Sequence, residues 1–232
     1  MHTPFLSIIA PDFEDSVSPT RFENFIFSVL SQYHDDWELF IIHDGKRKKP
    51  LSIHDTYLKD PRIKFLESNV RFNDWGHTLR DMGAKEASGE YLLFCNADNV
   101  LYEHCLSLIY SFSRKKYSNI DFINNSDNRI HSFNPSNKVI LYGIKMRGNV
   151  HHSMSSTSLR QKGFEFKYST ILSGAPPLPT QVDAMQMCCK REVFMELGGW
   201  HDKLEDSDGR IISKICASVG YSVIPEILGE HW

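Results

Sequence analysis

Apolar residues arrive in short runs along the first half of the chain, and polar stretches with helical spacing separate them. "FLSIIA" (Phe5–Ala10) reads as a buried strand that Pro11 terminates. Thr20 has the chemistry of an N-cap, and Glu23, three residues on, completes a capping box. The helix that follows gathers Phe22, Phe25, Ile26, Val29 and Leu30 on one face. "WELFIIH" reads as a second strand, stopping at Asp44-Gly45. A short helix near Ile53–Leu58, a third strand over Arg62–Leu66 and a helix over about Asn73–Ala87, closed by Gly89, come next. "EYLLF" is then a fourth strand, Glu103–Lys116 a helix and "IDFIN" a fifth strand.

Strands in alternation with helices, and apolar on both faces, predict an α/β fold: a mostly parallel sheet with helices on either side. Ligands of such sheets sit at the carboxyl ends of the strands. That rule gathers Pro11–Phe13, Asp44-Gly45 and Asn96–Asn99 on one rim. Beyond about Asn125 the alternation fails. "VILYGIKM" is a strand in another setting, and Arg147–Gly163, rich in Ser, Thr, His and Gly, reads as a mobile loop, a lid or a binding segment. "SGAPPLPT" is extended, "VDAMQMCC" strand-like and Arg191–Leu197 a short helix ended by Gly198-Gly199. A helix over about Asp208–Ser218 and a strand at Tyr221–Ile224 finish the pattern. The expectation is one domain, residues 1–232, with halves at 1–124 and 125–232 and a smaller C-terminal subregion.

Composition changes this picture little. The 232 residues allow one sizeable core, and 41% hydrophobic with 24% charged content is ordinary for a globular protein. A formal net charge of −3 gives no pull toward nucleic acid, so no nucleic-acid partner is expected. Five scattered cysteines without a C-x-x-C point to a reducing compartment rather than a disulfide framework. The start of the chain lacks the pattern of a signal peptide, and no apolar stretch is long enough to span a bilayer. A cytoplasmic protein without a transmembrane segment is expected.

The chemistry gathers in "GEYLLFCNADNV". Asp98 stands just past an apolar strand, where a carboxylate is costly unless a cation meets it. A hard divalent ion suits it, because Mg2+ uses one or two carboxylates and leaves its other positions to water and phosphate, and Mn2+ takes the same ligands. Asn96 points to the same side of an extended chain, toward a ribose or a metal-bound water. Asp44 is placed to accept hydrogen bonds from a base or ribose, and Arg80 to add a charge-assisted contact. Each has a plainer reading alone: Asn96-Ala97-Asp98-Asn99 as a helix-capping turn, Asp44-Gly45 as a turn, Arg80 as a solvated helix charge.

As an ordered set the motifs resemble the family 2 glycosyltransferases of the GT-A fold. "LSIIAPDFED" is similar to that family's opening strand, in which a Pro is followed two residues later by an aromatic that stacks on the base; here these are Pro11 and Phe13. "SVLSQYHDDWELFIIHDG" resembles the unit ending in the base-binding acid, Asp44. "NDWGHTLRDMGAKEASGEYLLFCNADN" resembles the Gly–Arg helix carrying Arg80, the turn before the fourth strand and the D-x-D element, which falls on Asn96, Ala97 and Asp98. The resemblance is strong over residues 5–110 and thinner over 182–224. Two departures stand out: Asn96 replaces the first D-x-D acid, and "DGKRKK" replaces the usual "D-G-S-x-D", with Lys46–Lys49 read as a solvated basic run in preference to a phosphate contact.

The resemblance implies a metal-dependent, inverting transfer from a nucleotide-sugar donor, UDP-sugar favoured, to a glycan or other hydroxyl acceptor, with Mn2+ or Mg2+ at Asp98. The family's general base lies near the start of the last helix, after a Gly-Gly-aromatic turn. In "LGGWHDKLEDSDGRIISKICASVGY" both Asp208 and Asp206 are candidates, and the spacing to Gly220 favours Asp208, with Glu205 in reserve. Ser207 and Asp208 also suit a helix cap. His231, in the terminal "GEHW", matches a late His used as metal or diphosphate ligand in several such enzymes, against a purely structural role. Trp75, Trp200 and Trp232 are candidates for sugar stacking or for the core. A nucleotidyltransferase would want a Gly-rich basic loop where "APDFEDSVSP" is acidic, and a non-catalytic nucleotide- or glycan-binding module stays open through Asn96.

Overall fold

The computed structural model describes residues 3–13, 16–48, 57, 59–115, 120–123, 130–133, 136–147, 170–179, 182–205 and 207–232. All of the expected helix near Ile53–Leu58 except Tyr57, nearly all of the expected 147–163 loop, Lys49 and Asp206 lie outside them. In the first half the chain forms β1 (Leu6–Asp12), α1 (Pro19–Leu30), β2 (Trp37–His43), β3 (Ile63–Glu67), α2 (His77–Glu86), β4 (Tyr91–Phe94), β5 (Val100–Leu101) and α3 (Cys105–Ser113). The second half adds β6 (Ile120–Ile123), β7 (Ile130–Phe133), β8 (Val139–Met146), β9 (Thr170–Leu172) and a 3-10 turn (Ala184–Gln186). It ends with β10 (Met187–Lys190), α4 (Arg191–Glu196), α5 (Ser207–Val219) and β11 (Ser222–His231).

Nine strands share one sheet in the order β3-β2-β1-β4-β10-β8-β11-β5, with β9 on β8. The pairs β3/β2, β2/β1, β1/β4 and β8/β11 are parallel, whereas β10 runs against both neighbours. Every residue of β1 and β2 is buried, which is why their sequences are almost unbroken apolar runs. Leu6, Ile8 and Ala10 pack under α1 and α3, while Ile9 faces the second core layer with Phe94, Phe194 and Trp200. The expected α/β fold with a mostly parallel sheet is the fold observed.

Several boundaries differ from the sequence pattern for physical reasons. Pro11 does not end β1, which continues to Asp12. The β4 ladder stops at Ile9 opposite Phe94, so no donor is needed at Pro11, and its carbonyl accepts from Ala97 N–H. Ser18, not Thr20, is the N-cap of α1; its Oγ accepts from Arg21 N–H at 3.3 Å and Pro19 opens the helix. "IDFIN" is not a fifth strand of the main sheet, because β6 pairs antiparallel with β7 in a separate ribbon. "VDAMQMCC" divides into the 3-10 turn and β10, and β11 runs on to His231, its register shifting around Pro225 where a regular ladder would need a donor. The five cysteines are buried free thiols. No helix among the described residues is long and apolar enough to cross a membrane.

Helix α2 starts at His77, later than expected, because Asn73, Trp75 and Gly76 hold φ of 55°, 56° and 82°. The Asp74 carboxylate compensates by accepting from Thr78 N–H at 3.0 Å. A side chain at Gly76 would put its Cβ 2.5 Å from Pro11 Cβ, on a backbone already left-handed. Gly76→Ala is therefore expected to destabilise the fold by about 1–3 kcal/mol. Urea unfolding monitored by tryptophan fluorescence checks this, and an unchanged midpoint contradicts it.

Candidate active site

Because β1, β2, β3, β4, β8 and β11 point the same way, their carboxyl ends form one rim. The reversed β10 brings its leading residues to that rim, including Asp183 in the cap of the 3-10 turn. Asp44 and Ala97 flank the end of β1: Asp44 N–H donates to Asp12 O at 2.9 Å and Ala97 N–H to Pro11 O at 3.1 Å. The rim thus brings together Phe13, Asp44, Asn96, Asp98 and His231 from four separate segments, as the strand-end rule requires.

On the β1–β3 side, Asp44 Oδ1 accepts from Phe72 N–H at 2.8 Å and Oδ2 from Asn73 N–H at 2.9 Å. It latches the turn that leads into α2. The Arg71 guanidinium lies 3.9 Å over the Phe13 ring, and His43 packs beside the same ring at 5.8 Å. Buried Asp12 is paired with Arg47, and Lys46 lies 3.6 Å from Glu67. The basic run after β2 is therefore not simply solvated, since two of its cations are held by acids at the ends of β1 and β3. Pro11 is buried beneath Gly76 and supports the turn.

The middle of the rim is organised by Arg80, only 2% exposed. Its Nη1 donates to Trp75 O at 3.0 Å and to His77 Nδ1 at 3.1 Å, its Nη2 to Asn96 Oδ1 at 2.9 Å, and the guanidinium lies 4.9 Å over Trp200. Its Nε is buried without a partner. Arg80 is thus a buried cation with no carboxylate at ion-pair distance among the described residues, which leaves the rim with charge for an anion to meet. It is not the solvated helix charge of the plainer reading.

Asn96 takes Arg80 on its oxygen while its Nδ2 lies 3.4 Å from His231 Nε2. Asn99 Oδ1 closes the turn by accepting from Asn96 N–H at 2.7 Å. His231 Nε2 is also 3.6 Å from Asp183 Oδ2, and His231 Nδ1 is buried without a hydrogen-bond partner among the described residues. Burial raises the Asp98 carboxyl, His231 and Arg21 oppose that, and Asp183 adds to it. Among the described residues no cluster of three or more His, Cys, Asp or Glu could by itself hold a metal. One carboxylate with an imidazole nearby fits a hard divalent ion only as a shared site, in which phosphate oxygens and water fill the remaining positions. Asp98 and His231 are the residues that would hold it.

On the far side, Asp208 stands in the first turn of α5. Its Oδ2 accepts from Ala184 N–H at 3.2 Å, and its Oδ1 is buried with no hydrogen-bond partner among the described residues. Burial pushes the carboxyl up to about 6, with Asp183 adding to the rise and Arg80, Ala184 N–H and His231 working against it. Both Asp208 and Ser207 bond across to other segments, Ser207 Oγ accepting from Trp200 Nε1 at 2.9 Å. Trp200 is completely buried and belongs to the core, not to a sugar-stacking surface; Trp75 is 58% exposed at the lip and Trp232 lies beneath Arg21.

Sequence reasoning missed Asp183, His77, Arg47 and Arg71. Asp183 was legible as the first residue of a capping box with Gln186, which the structure forms. His77 stands one helical turn before Arg80 and so shares its face.

An α/β sheet of this direction, with acids and an imidazole on its carboxyl rim, is the architecture of GT-A glycosyltransferases. Residues 8–167 match Glycosyl transferase family 2, and the chain belongs to that family. An uncharacterized glycosyltransferase of Rickettsia bellii (strain RML369-C) is 30% identical over 105 residues, 45% of this chain and 14% of that protein. The crystal structure of S. aureus TarS 1-349 superposes with a TM-score of 0.66 at 17% identity, covering 97% of this chain and 59% of TarS 1-349; the same fragment is also solved in complex with UDP. The mannosyltransferase PcManGT from Pyrobaculum calidifontis, in complex with GDP-Man and Mn2+, superposes with a TM-score of 0.63 at 13% identity over 99% of this chain and 57% of its own. The chain thus spans well under two thirds of these relatives.

Proposed function

We propose that the chain moves a sugar from a nucleotide-diphosphate donor, UDP-sugar favoured, to a hydroxyl of a glycan or other acceptor, with inversion. The observation that carries this reading is Asp208 Oδ1, a buried carboxylate oxygen with raised basicity and without a hydrogen-bond partner among the described residues, on the rim that also holds the buried Arg80 cation. A single displacement needs one base to take the acceptor proton as the hydroxyl attacks the anomeric carbon, and Asp208 fills that role. Asp206 and Glu205 are the reserve candidates.

Arg80 and Asn96 meet the diphosphate, whose charge complements the guanidinium. Phe13, Arg71 and Asp44 bound the nucleoside: the base displaces Arg71 from Phe13 or stacks upon it, and Asp44 keeps lone pairs for a base or ribose donor. Mn2+ or Mg2+, held by Asp98 and His231, supplies charge neutralisation at the departing diphosphate. Residues 1–124 form the donor half of a single domain and 125–232 the acceptor half. The ligands of the solved relatives, UDP for TarS and GDP-Man with Mn2+ for PcManGT, support a nucleotide-sugar donor and a divalent ion. Five free thiols support a reducing compartment such as the cytoplasm.

Thermal unfolding against UDP, GDP and dTDP, with Mn2+ or with EDTA, tests the donor side. UDP with Mn2+ is expected to stabilise by about 2.7 kcal/mol at a hundredfold its dissociation constant, and EDTA to remove most of that gain. If millimolar nucleoside diphosphates leave the melting temperature unchanged with Mn2+ present, the donor reading fails.

A further inference from the structure

The residue between the buried cation and the candidate base is His77, and the reading of Asp208 as base gives it no task. Its ring is 1% exposed and stacks on Trp200 with centroids 5.7 Å apart and planes 11° apart. Nε2 lies 3.0 Å from Leu204 O and 3.1 Å from Ser207 Oγ. A carbonyl only accepts, so Nε2 carries the hydrogen and Nδ1 presents a lone pair. That lone pair accepts from Arg80 Nη1 at 3.1 Å and lies 3.7 Å from Asp208 Oδ1.

We propose that His77 is a positioning residue for the general base: by accepting from Arg80 through Nδ1, it keeps the guanidinium from forking onto Asp208 and so preserves the basicity of that carboxylate. This rests on the reading of Asp208 as base. Nη1 and Nη2 of Arg80 are otherwise tied to Trp75 O and Asn96 Oδ1, so the imidazole supplies the third restraint on the guanidinium plane. Were that restraint lost, Nη1 would turn toward the unpartnered Oδ1, and a carboxylate forked by arginine is a weak base. Charge around the pair comes from every neighbouring element. Arg80 and His77 face Asp208 from α2, Asp183 and Ala184 N–H from the 3-10 turn, and His231 from β11, while Asp74 and Lys203 act on His77. The ring is held neutral by burial and by Arg80, with its pKa near 4, so it stays an acceptor throughout the working range of the base.

The test compares His77→Phe, which keeps ring volume and the stack on Trp200 but has no acceptor, with His77→Asn, whose amide oxygen can accept from Arg80 near the Nδ1 position. The acid limb of the kcat–pH profile reads the base. His77→Phe is expected to move that limb down by about one pH unit and to lower kcat about tenfold with donor KM nearly unchanged, and His77→Asn to restore the limb. A pure packing role predicts the reverse order, with Phe tolerated and Asn damaging, and an unmoved limb in His77→Phe overturns the proposal. Should His77→Phe not fold, 15N NMR of the wild-type imidazole decides: the neutral Nε2–H tautomer at pH 7 supports the proposal, and an imidazolium or Nδ1–H tautomer sinks it. Asp208→Asn is measured beside them. If it retains turnover, the base assignment itself falls; if it is inactive and the His77→Phe limb has not moved, only the role of His77 falls.

Discussion

Asp208→Asn is expected to lower kcat by about 10²–10⁴-fold while making the protein more stable at neutral pH. The two effects share one cause. The carboxyl is raised from 3.8 to about 6 because it is largely buried and Oδ1 has nothing to bond to. A folded-state pKa above the unfolded value means that the folded protein binds the proton more tightly, so stability falls as pH rises between the two values. Below about pH 4 the carboxyl is neutral in both states and the site costs nothing. Above about pH 6 the full penalty applies, roughly 3 kcal/mol for a shift of this size. Asparagine carries no charge, keeps an oxygen for Ala184 N–H and replaces the charged Oδ1 with a neutral amide group. Its gain in melting temperature over wild type should therefore be larger at pH 8 than at pH 5. UDP affinity should change little, because Asp208 lies across the rim from Phe13 and Asp44. Turnover near that of wild type removes Asp208 as the base, and a melting temperature lowered at pH 8 shows that the carboxylate is structural.

The candidate base could be found from sequence because the family resemblance ties it to a local landmark. An acid after "LGGW" at the head of an amphipathic helix is a local pattern. So are β1, β2 and β4, whose runs of apolar residues announce strands buried on both faces. Local patterns carry no strand direction, however. "MQMCC" is as apolar as the parallel strands, and nothing in it says that β10 would enter the sheet reversed and deliver Asp183 to the rim. The ten-residue β11 was hidden by Pro225, which reads as a stop unless a bulge absorbs it. The site's supporting contacts were hidden for the same reason: Arg47 with Asp12, Arg71 over Phe13, and His77 against Trp200 and Asp208 join residues that only the folded sheet brings together. A basic loop reads as solvated until the acid that holds it is known to stand on the adjacent strand.

Trp200 is the member of this hidden set whose loss should cost the most stability. Its indole meets Phe94 edge-on at 5.2 Å, lies 6.2 Å from Phe194, stacks on His77 and underlies the Arg80 guanidinium. Its Nε1 donates to Ser207 Oγ, and its backbone N–H to Asp81 Oδ1 at 2.6 Å. Trp200→Ala therefore empties a space walled by β4, α4, the first turn of α2 and the first turn of α5, four elements that cannot close on it together. The expected cost is about 3–5 kcal/mol, a large share of the 5–15 kcal/mol typical of a domain. Trp200→Phe should cost less, since a ring still fills most of the space, yet it deprives Ser207 Oγ of the indole donor and frees the His77 face to tilt. Urea denaturation separates the cases: the midpoint should fall steeply for Ala and moderately for Phe, with the slope preserved if unfolding stays two-state. A loss below about 1 kcal/mol for Trp200→Ala would show that the surrounding helices collapse onto the vacancy, and then α2 and α5 are not held apart by the indole. Where the Ala variant still folds, kcat should fall, because the void opens beneath His77 and Arg80, whereas the nucleoside side of the rim, where Phe13, Asp44 and Arg71 stand in the segments after β1, β2 and β3, should suffer less.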